Sequence, residues 1–140
     1  MSADLGIFPP RATARRSPAA EARHLHPAAL PHWRALLGLL WQQRHERAAG
    51  LWLACRDARE AAADASGGPD AAQAAQAAWR RASAMWHRAV AEWHALGEIE
   101  AALSRLAIGR FGWCEQCGAA IAASRLTEIP QARYCPACDQ

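Results

Sequence analysis

The sequence predicts a mainly α protein: a long antiparallel coiled-coil helical hairpin followed by a small four-cysteine finger. Three observations carry this reading. Two alanine-rich segments of helical periodicity flank a breaker, Ser66-Gly67-Gly68-Pro69-Asp70. Within the second segment Trp79, Trp86 and Trp93 recur every seven residues, the spacing of a coiled-coil seam. Near the C-terminus stand two Cys-x-x-Cys pairs, Cys114/Cys117 and Cys135/Cys138.

Residues 1–30 hold Pro9, Pro10, Pro18 and Pro27 among Ala, Arg and Ser. Such a composition buries too little area to offset the entropy of ordering, so a disordered N-terminal tail is expected. The first 34 residues carry five arginines against Asp4 and Glu21, which accounts for the whole net charge of +3. The remainder balances eleven arginines against eleven acids, and so offers nucleic acid no electrostatic lure. No stretch approaches the roughly 18 apolar residues of a membrane helix, and the N-terminus lacks the apolar core of an export signal. A cytoplasmic, reducing setting is therefore expected, where paired cysteines read as metal ligands rather than structural disulfides.

The hairpin is expected over residues 31–108. Pro31 suits the first turn of a helix that runs to about Ala65. Leu37, Trp41, Ala48, Leu51, Trp52 and Cys55 form its apolar stripe, with Cys55 as a small buried residue and Arg44 snorkelling outward. The breaker places a turn near 66–69. Asp70 then starts a second helix, at the positive end of its dipole, that continues to about Ile108. The Trp79/Trp86/Trp93 heptad, extended by Leu96, Ile99, Leu103 and Leu106, is read as its buried stripe, with His87 and His94 on the seam's flank. Counting outward from Gly67 sets Trp79 against Cys55, Trp86 against Ala48 and Trp93 against Trp41. The hairpin should be on the order of 50 Å long at 1.5 Å per residue and taper where both helices become alanine.

Gly109-Arg110-Phe111-Gly112 ends the second helix, and the finger occupies 109–140. Seventeen residues separate its two Cys-x-x-Cys pairs, within the range of four-cysteine zinc sites. Cys114, Cys117, Cys135 and Cys138 are thus the candidate ligands of one zinc ion. Four thiolates close the tetrahedron and leave no position for water, which makes the site structural. Gly118 supplies permissive backbone after the first pair. Iron in the same tetrahedron, a redox Cys-x-x-Cys or a disulfide are the competing chemistries. The chain has no nucleophile–base pair, glycine-rich phosphate loop or carboxylate cluster, so no enzymatic activity is expected.

From Ile99 onward the residues become specific: Ile99-Glu100-Ala101-Ala102-Leu103, Arg110-Phe111-Gly112-Trp113-Cys114-Glu115-Gln116-Cys117-Gly118, Ile121, Arg125-Leu126, Pro130, Tyr134-Cys135 and Cys138. About the last forty residues closely resemble the DksA/TraR family of bacterial transcription regulators. The resemblance implies a regulator that binds RNA polymerase rather than DNA, its coiled coil entering the secondary channel with an acidic tip toward the catalytic centre. Asp64 and Asp70 flank the turn as candidate tip residues, in place of the family's Asp-x-x-Asp-x-Ala motif. Where some members hold the alarmone ppGpp with basic residues, this chain has Glu98, Ile129 and Asp139, so ppGpp is not an expected ligand. The alternative is a coiled-coil zinc protein that serves as an interaction or dimerisation module.

Overall fold

The structure, a computed structural model, describes residues 25–65 and 67–139. A 3-10 turn at Pro27–Ala29 leads into helix α1 (Leu30–Asp64), helix α2 (Ala71–Ala107) and a short helix α3 (Ala123–Glu128). Residues 25–30, assigned to the tail by composition, are instead built into the base of the hairpin. His26 caps the 3-10 turn by accepting from the Ala28 N–H at 3.2 Å, and Leu25 packs on the core. The rest of the expected tail, residues 1–24, lies outside the described residues.

Helices α1 and α2 pack antiparallel, as the breaker requires. Gly67 and Gly68 turn the chain with φ of 105° and 118°, angles that a Cβ disfavours. Asp70 takes the N-cap position of α2, although its side chain makes no capping bond. At the other end α2 stops in a Schellman motif: Arg110 N–H donates to the Arg105 carbonyl at 2.7 Å and Gly109 N–H to that of Leu106 at 3.3 Å.

The seam differs from the expectation. Trp79, Trp86 and Trp93 are not its core but stand 51%, 44% and 54% exposed, and Trp52 is 50% exposed. The seven-residue period is correct, but the buried heptad is Ala82, Ala89 and Leu96, three residues on from the tryptophans. Ala78, Ala82 and Ala89 are buried, continued by Leu96 and Ile99, against Ala48, Cys55 and Ala62 of α1. Alanine in the seam lets two helix axes approach at the short end of the usual 8–10 Å range, and an indole inserted there would push them apart. The tryptophans therefore lie over the outer edge of the seam, with part of each ring on the neighbouring helix and part in water.

The register slides accordingly, by about one helical turn from the one counted out from Gly67. Cys55 is buried as expected and its thiol donates to the Ala82 carbonyl at 3.4 Å. Trp86 meets Trp52, with ring centroids 5.4 Å apart, rather than Ala48. Trp93 meets His45 at 6.1 Å rather than Trp41, and Trp79 lies under Arg59 rather than against Cys55. Arg44 does not snorkel away: it pairs across the seam with Glu92 at 3.0 Å. His87 and His94 face solvent.

Large buried side chains gather at the base. Trp33 and Leu37 of α1 and Ile99 and Leu106 of α2 close over Phe111, Ile121 and Leu126 of the finger. Trp33 and Phe111 lie 5.7 Å apart, ring centre to ring centre. The finger is thereby part of the same core as the hairpin base, and its orientation is set by apolar packing.

Candidate metal centre

Each cysteine pair sits on a tight knuckle. In the first, Cys114 N–H donates to the Ala119 carbonyl at 2.8 Å and Gly118 N–H to the Cys114 carbonyl at 2.9 Å. Gly118 has φ of 71°, the left-handed backbone that the sequence reading asked of it. A bridge between Trp113 and Ala120 and a bond from Ile121 N–H to the Gly112 carbonyl at 2.7 Å tie the arms of this knuckle together. Trp113 is buried beside it. In the second, Cys138 N–H and Asp139 N–H both donate to the Cys135 carbonyl, at 2.9 and 3.1 Å. Glu115 N–H reaches the Arg133 carbonyl at 2.9 Å and joins the two knuckles.

The knuckles bring all four predicted sulfurs within 4.8 Å of one another, with Cys117 and Cys135 Sγ 3.7 Å apart. Tetrahedral zinc with bonds of about 2.3 Å needs sulfurs about 3.8 Å apart. A disulfide needs about 2.05 Å, and every cysteine is free. The donor set is thiolate alone, which fits one closed, structural zinc ion.

The backbone prepares the sulfurs unequally. Burial pushes the Cys114 thiol up, but the N–H groups of Cys117, Cys135 and Gln116 outweigh it and bring it down to about 6. Cys138 moves the other way, to about 12, chiefly because Cys135 lies beside it. Four thiols in so small a volume do not ionise together unless a cation shares their charge.

Several residues that hold the finger to the hairpin escaped the sequence reading. Arg105 of α2 is only 7% exposed. It donates to Glu115 at 3.1 Å, between the first two cysteines, and to the Gln131 carbonyl at 3.0 Å. Glu115 in turn lies 3.8 Å from Arg133, and Arg133 donates to Glu98 of α2 at 2.6 Å. Charge alternates along this path from helix to finger and back. The only sequence signal was an arginine immediately before Leu106, the last residue of an apolar stripe.

Glu98, Ile129 and Asp139, read as departures from an alarmone site, do line one cleft of about 210 Å³ on the base. Neither acid faces it unpaired. Glu98 holds Arg133, and Asp139 pairs with Arg125, which also donates to the Tyr134 carbonyl at 3.2 Å. The candidate tip residues lie far from the metal: Asp64 ends α1 and Asp70 precedes α2, both exposed on opposite sides of the Gly67-Gly68 turn.

Residues 109–140 match the prokaryotic dksA/traR C4-type zinc finger. A stretch of 43 residues is 46% identical to an uncharacterised protein of Aquifex aeolicus (strain VF5), covering 31% of this chain and 30% of that protein. The whole fold resembles the solved structure of transcription factor DksA2 from Pseudomonas aeruginosa, with a TM-score of 0.66 and 28% identity over 81% of this chain and 82% of that one. The chain thus carries a finger of the dksA/traR C4 type on a hairpin whose fold is similar to that of DksA2.

Proposed function

We propose that this chain regulates transcription by binding RNA polymerase rather than DNA, with its hairpin entering the secondary channel. The observation that carries the reading is the DksA2-like arrangement of a long hairpin on a four-cysteine finger, matched over 81% of the chain. Physical features support it. Buried alanines at Ala62, Ala78 and Ala82 keep the distal hairpin slender, a shape suited to a narrow channel. Residues 35–140 carry no net charge, so free DNA gains little by counterion release. Action on polymerase places the protein in the cytoplasm.

Asp64 and Asp70 are the carboxylates at the leading end, and they stand on opposite sides of the Gly67-Gly68 turn rather than together on one presenting element, as work at a catalytic metal asks. Regulation by this tip is therefore weaker than occupancy of the channel. Nor is ppGpp a co-effector at the base cleft, since a pyrophosphate there would have to displace both Glu98 from Arg133 and Asp139 from Arg125.

The test is capture of core polymerase by the zinc-loaded chain, followed by transcription with Asp64→Asn, Asp70→Asn and the double variant, with and without ppGpp. Binding that survives all three substitutions, with modest regulation insensitive to ppGpp, is the expected result. Failure to bind core polymerase overturns the proposal. Strong regulation abolished by Asp70→Asn would overturn the reading of the tip.

A further inference from the structure

The tryptophans outside the seam form a ladder. Arg59 lies 5.8 Å from the Trp79 ring centre, Trp52 lies 5.4 Å from Trp86 and His45 lies 6.1 Å from Trp93. Each rung joins one helix to the other, and successive rungs step by seven residues on both helices, about 10.5 Å along the axis. One heptad beyond Trp93 stands Glu100, which accepts from Trp41 Nε1 at 3.0 Å. The ladder thus begins at a cation near the tip and ends at a carboxylate near the base. On α2 the tryptophans alternate with Ser83, Val90 and Gly97, giving knobs and gaps of one pitch. Between the first two rungs the flank opens into a cleft of about 420 Å³ walled by Trp52, Trp79 and Trp86.

Four tryptophans exposed by 44% to 54%, at about 250 Å² of surface each, present about 500 Å² of aromatic face. That sits at the upper end of the largest apolar patch on a typical monomer, about 300–600 Å². Counted on two copies it comes to about 1,000 Å², the lower bound for a specific interface.

We propose that this flank is the interface of an antiparallel two-fold dimer, its occupant the same flank of a second copy. A two-fold axis makes the surface self-complementary, and an identical ladder supplies rungs of the pitch that the gaps require. The charges select the direction. With an axis perpendicular to the hairpin, between the Trp52–Trp86 and His45–Trp93 rungs, the Arg59 end of each copy meets the Glu100 end of the other. A parallel arrangement would set Arg59 against a second Arg59. The inference does not depend on polymerase binding, and its main measurement needs no polymerase.

Sedimentation equilibrium of the full-length, zinc-loaded chain from low micromolar to submillimolar concentration reads it directly. A monomer–dimer equilibrium is expected, with Trp86→Gln raising the dissociation constant at least about tenfold. Arg59→Glu and Glu100→Arg should each weaken the dimer, and the double swap should restore it. Far-UV circular dichroism confirms folding. Should Trp86→Gln unfold the hairpin, the charge pair, both members exposed, still decides. A monomer at every concentration overturns the proposal, as does a dimer indifferent to the charge variants. A monomer whose tryptophan emission shifts only on adding core polymerase would assign the flank to that partner and overturn the second copy.

Discussion

Arg105 of helix α2 sits almost wholly buried with its guanidinium 3.1 Å from Glu115 Oε1, in the first metal knuckle. Its other nitrogen caps the Gln131 carbonyl at 3.0 Å. One side chain therefore joins the hairpin to both arms of the finger. Arg105→Met keeps the stem but orphans a carbonyl and a half-buried carboxylate. It should destabilise the protein by about 2–4 kcal/mol and speed metal loss to a chelator. Urea unfolding and competition with a chromogenic chelator check both, and an unchanged stability would remove Arg105 from this role.

The alanine seam makes a prediction about size. Ala48 and Ala89 are 0% and 1% exposed. Ala48→Leu or Ala89→Leu should overpack the hairpin and cost about 1–3 kcal/mol. Ala49→Leu, on the exposed neighbouring position, should change stability by less than about 0.5 kcal/mol. Thermal unfolding of the three variants tests this, with Ala89→Leu decisive: Ala48 faces inward in either phase, whereas Ala89 is interior only when the alanines, not the tryptophans, form the seam.

Arg44 and Glu92 are a charged pair inside an apolar stripe, with Glu92 the more enclosed of the two. Arg44→Leu leaves Glu92 without its partner, and should cost more than the double replacement Arg44→Leu/Glu92→Leu. A coupling energy of about 1–2 kcal/mol from the double-mutant cycle is expected. Additive effects would mean that the two side chains are not coupled across the seam.

Zinc and protons compete at the finger. Ligand sulfurs must be deprotonated, and Cys138 is pushed up to about 12 while Cys114 is brought down to about 6. The apo cluster at neutral pH consequently retains protons that loading must expel. Adding zinc to apo protein in weak buffer should acidify the solution, and retention should fall as pH drops toward 6 and below. Chelation should unfold the finger while most helical ellipticity remains. No proton release on loading, or a holoprotein with no zinc by elemental analysis, would contradict the site.

The residues that announce themselves by fixed spacing were legible in the sequence. Two Cys-x-x-Cys pairs and Gly118 specify local backbone, so Cys114, Cys117, Cys135 and Cys138 could be named before any fold was known. The glycine breaker gave both helix ends to within a residue or so. Phase was harder, because the alanine set and the tryptophan set share the same seven-residue period. Hydrophobicity favours the tryptophans for the interior, whereas packing distance favours Ala78, Ala82 and Ala89, and only the paired helices reveal which wins. The Arg105–Glu115–Arg133–Glu98 path was invisible for another reason. Its members are scattered in sequence and become neighbours only when the finger folds back on the base.

The concentration of large buried side chains at one end also grades the chain's resistance to local opening. Backbone amides near Trp33, Leu37, Ile99 and Leu106 can exchange with solvent only when the shared core of base and finger separates, a near-global event. Those near Ala62 and Ala78 are shielded by methyl groups alone and should exchange through small, frequent fraying motions. Hydrogen–deuterium exchange would then fall steadily from the glycine turn to the finger. A partner that grips the distal end can reshape it without disturbing the anchored end.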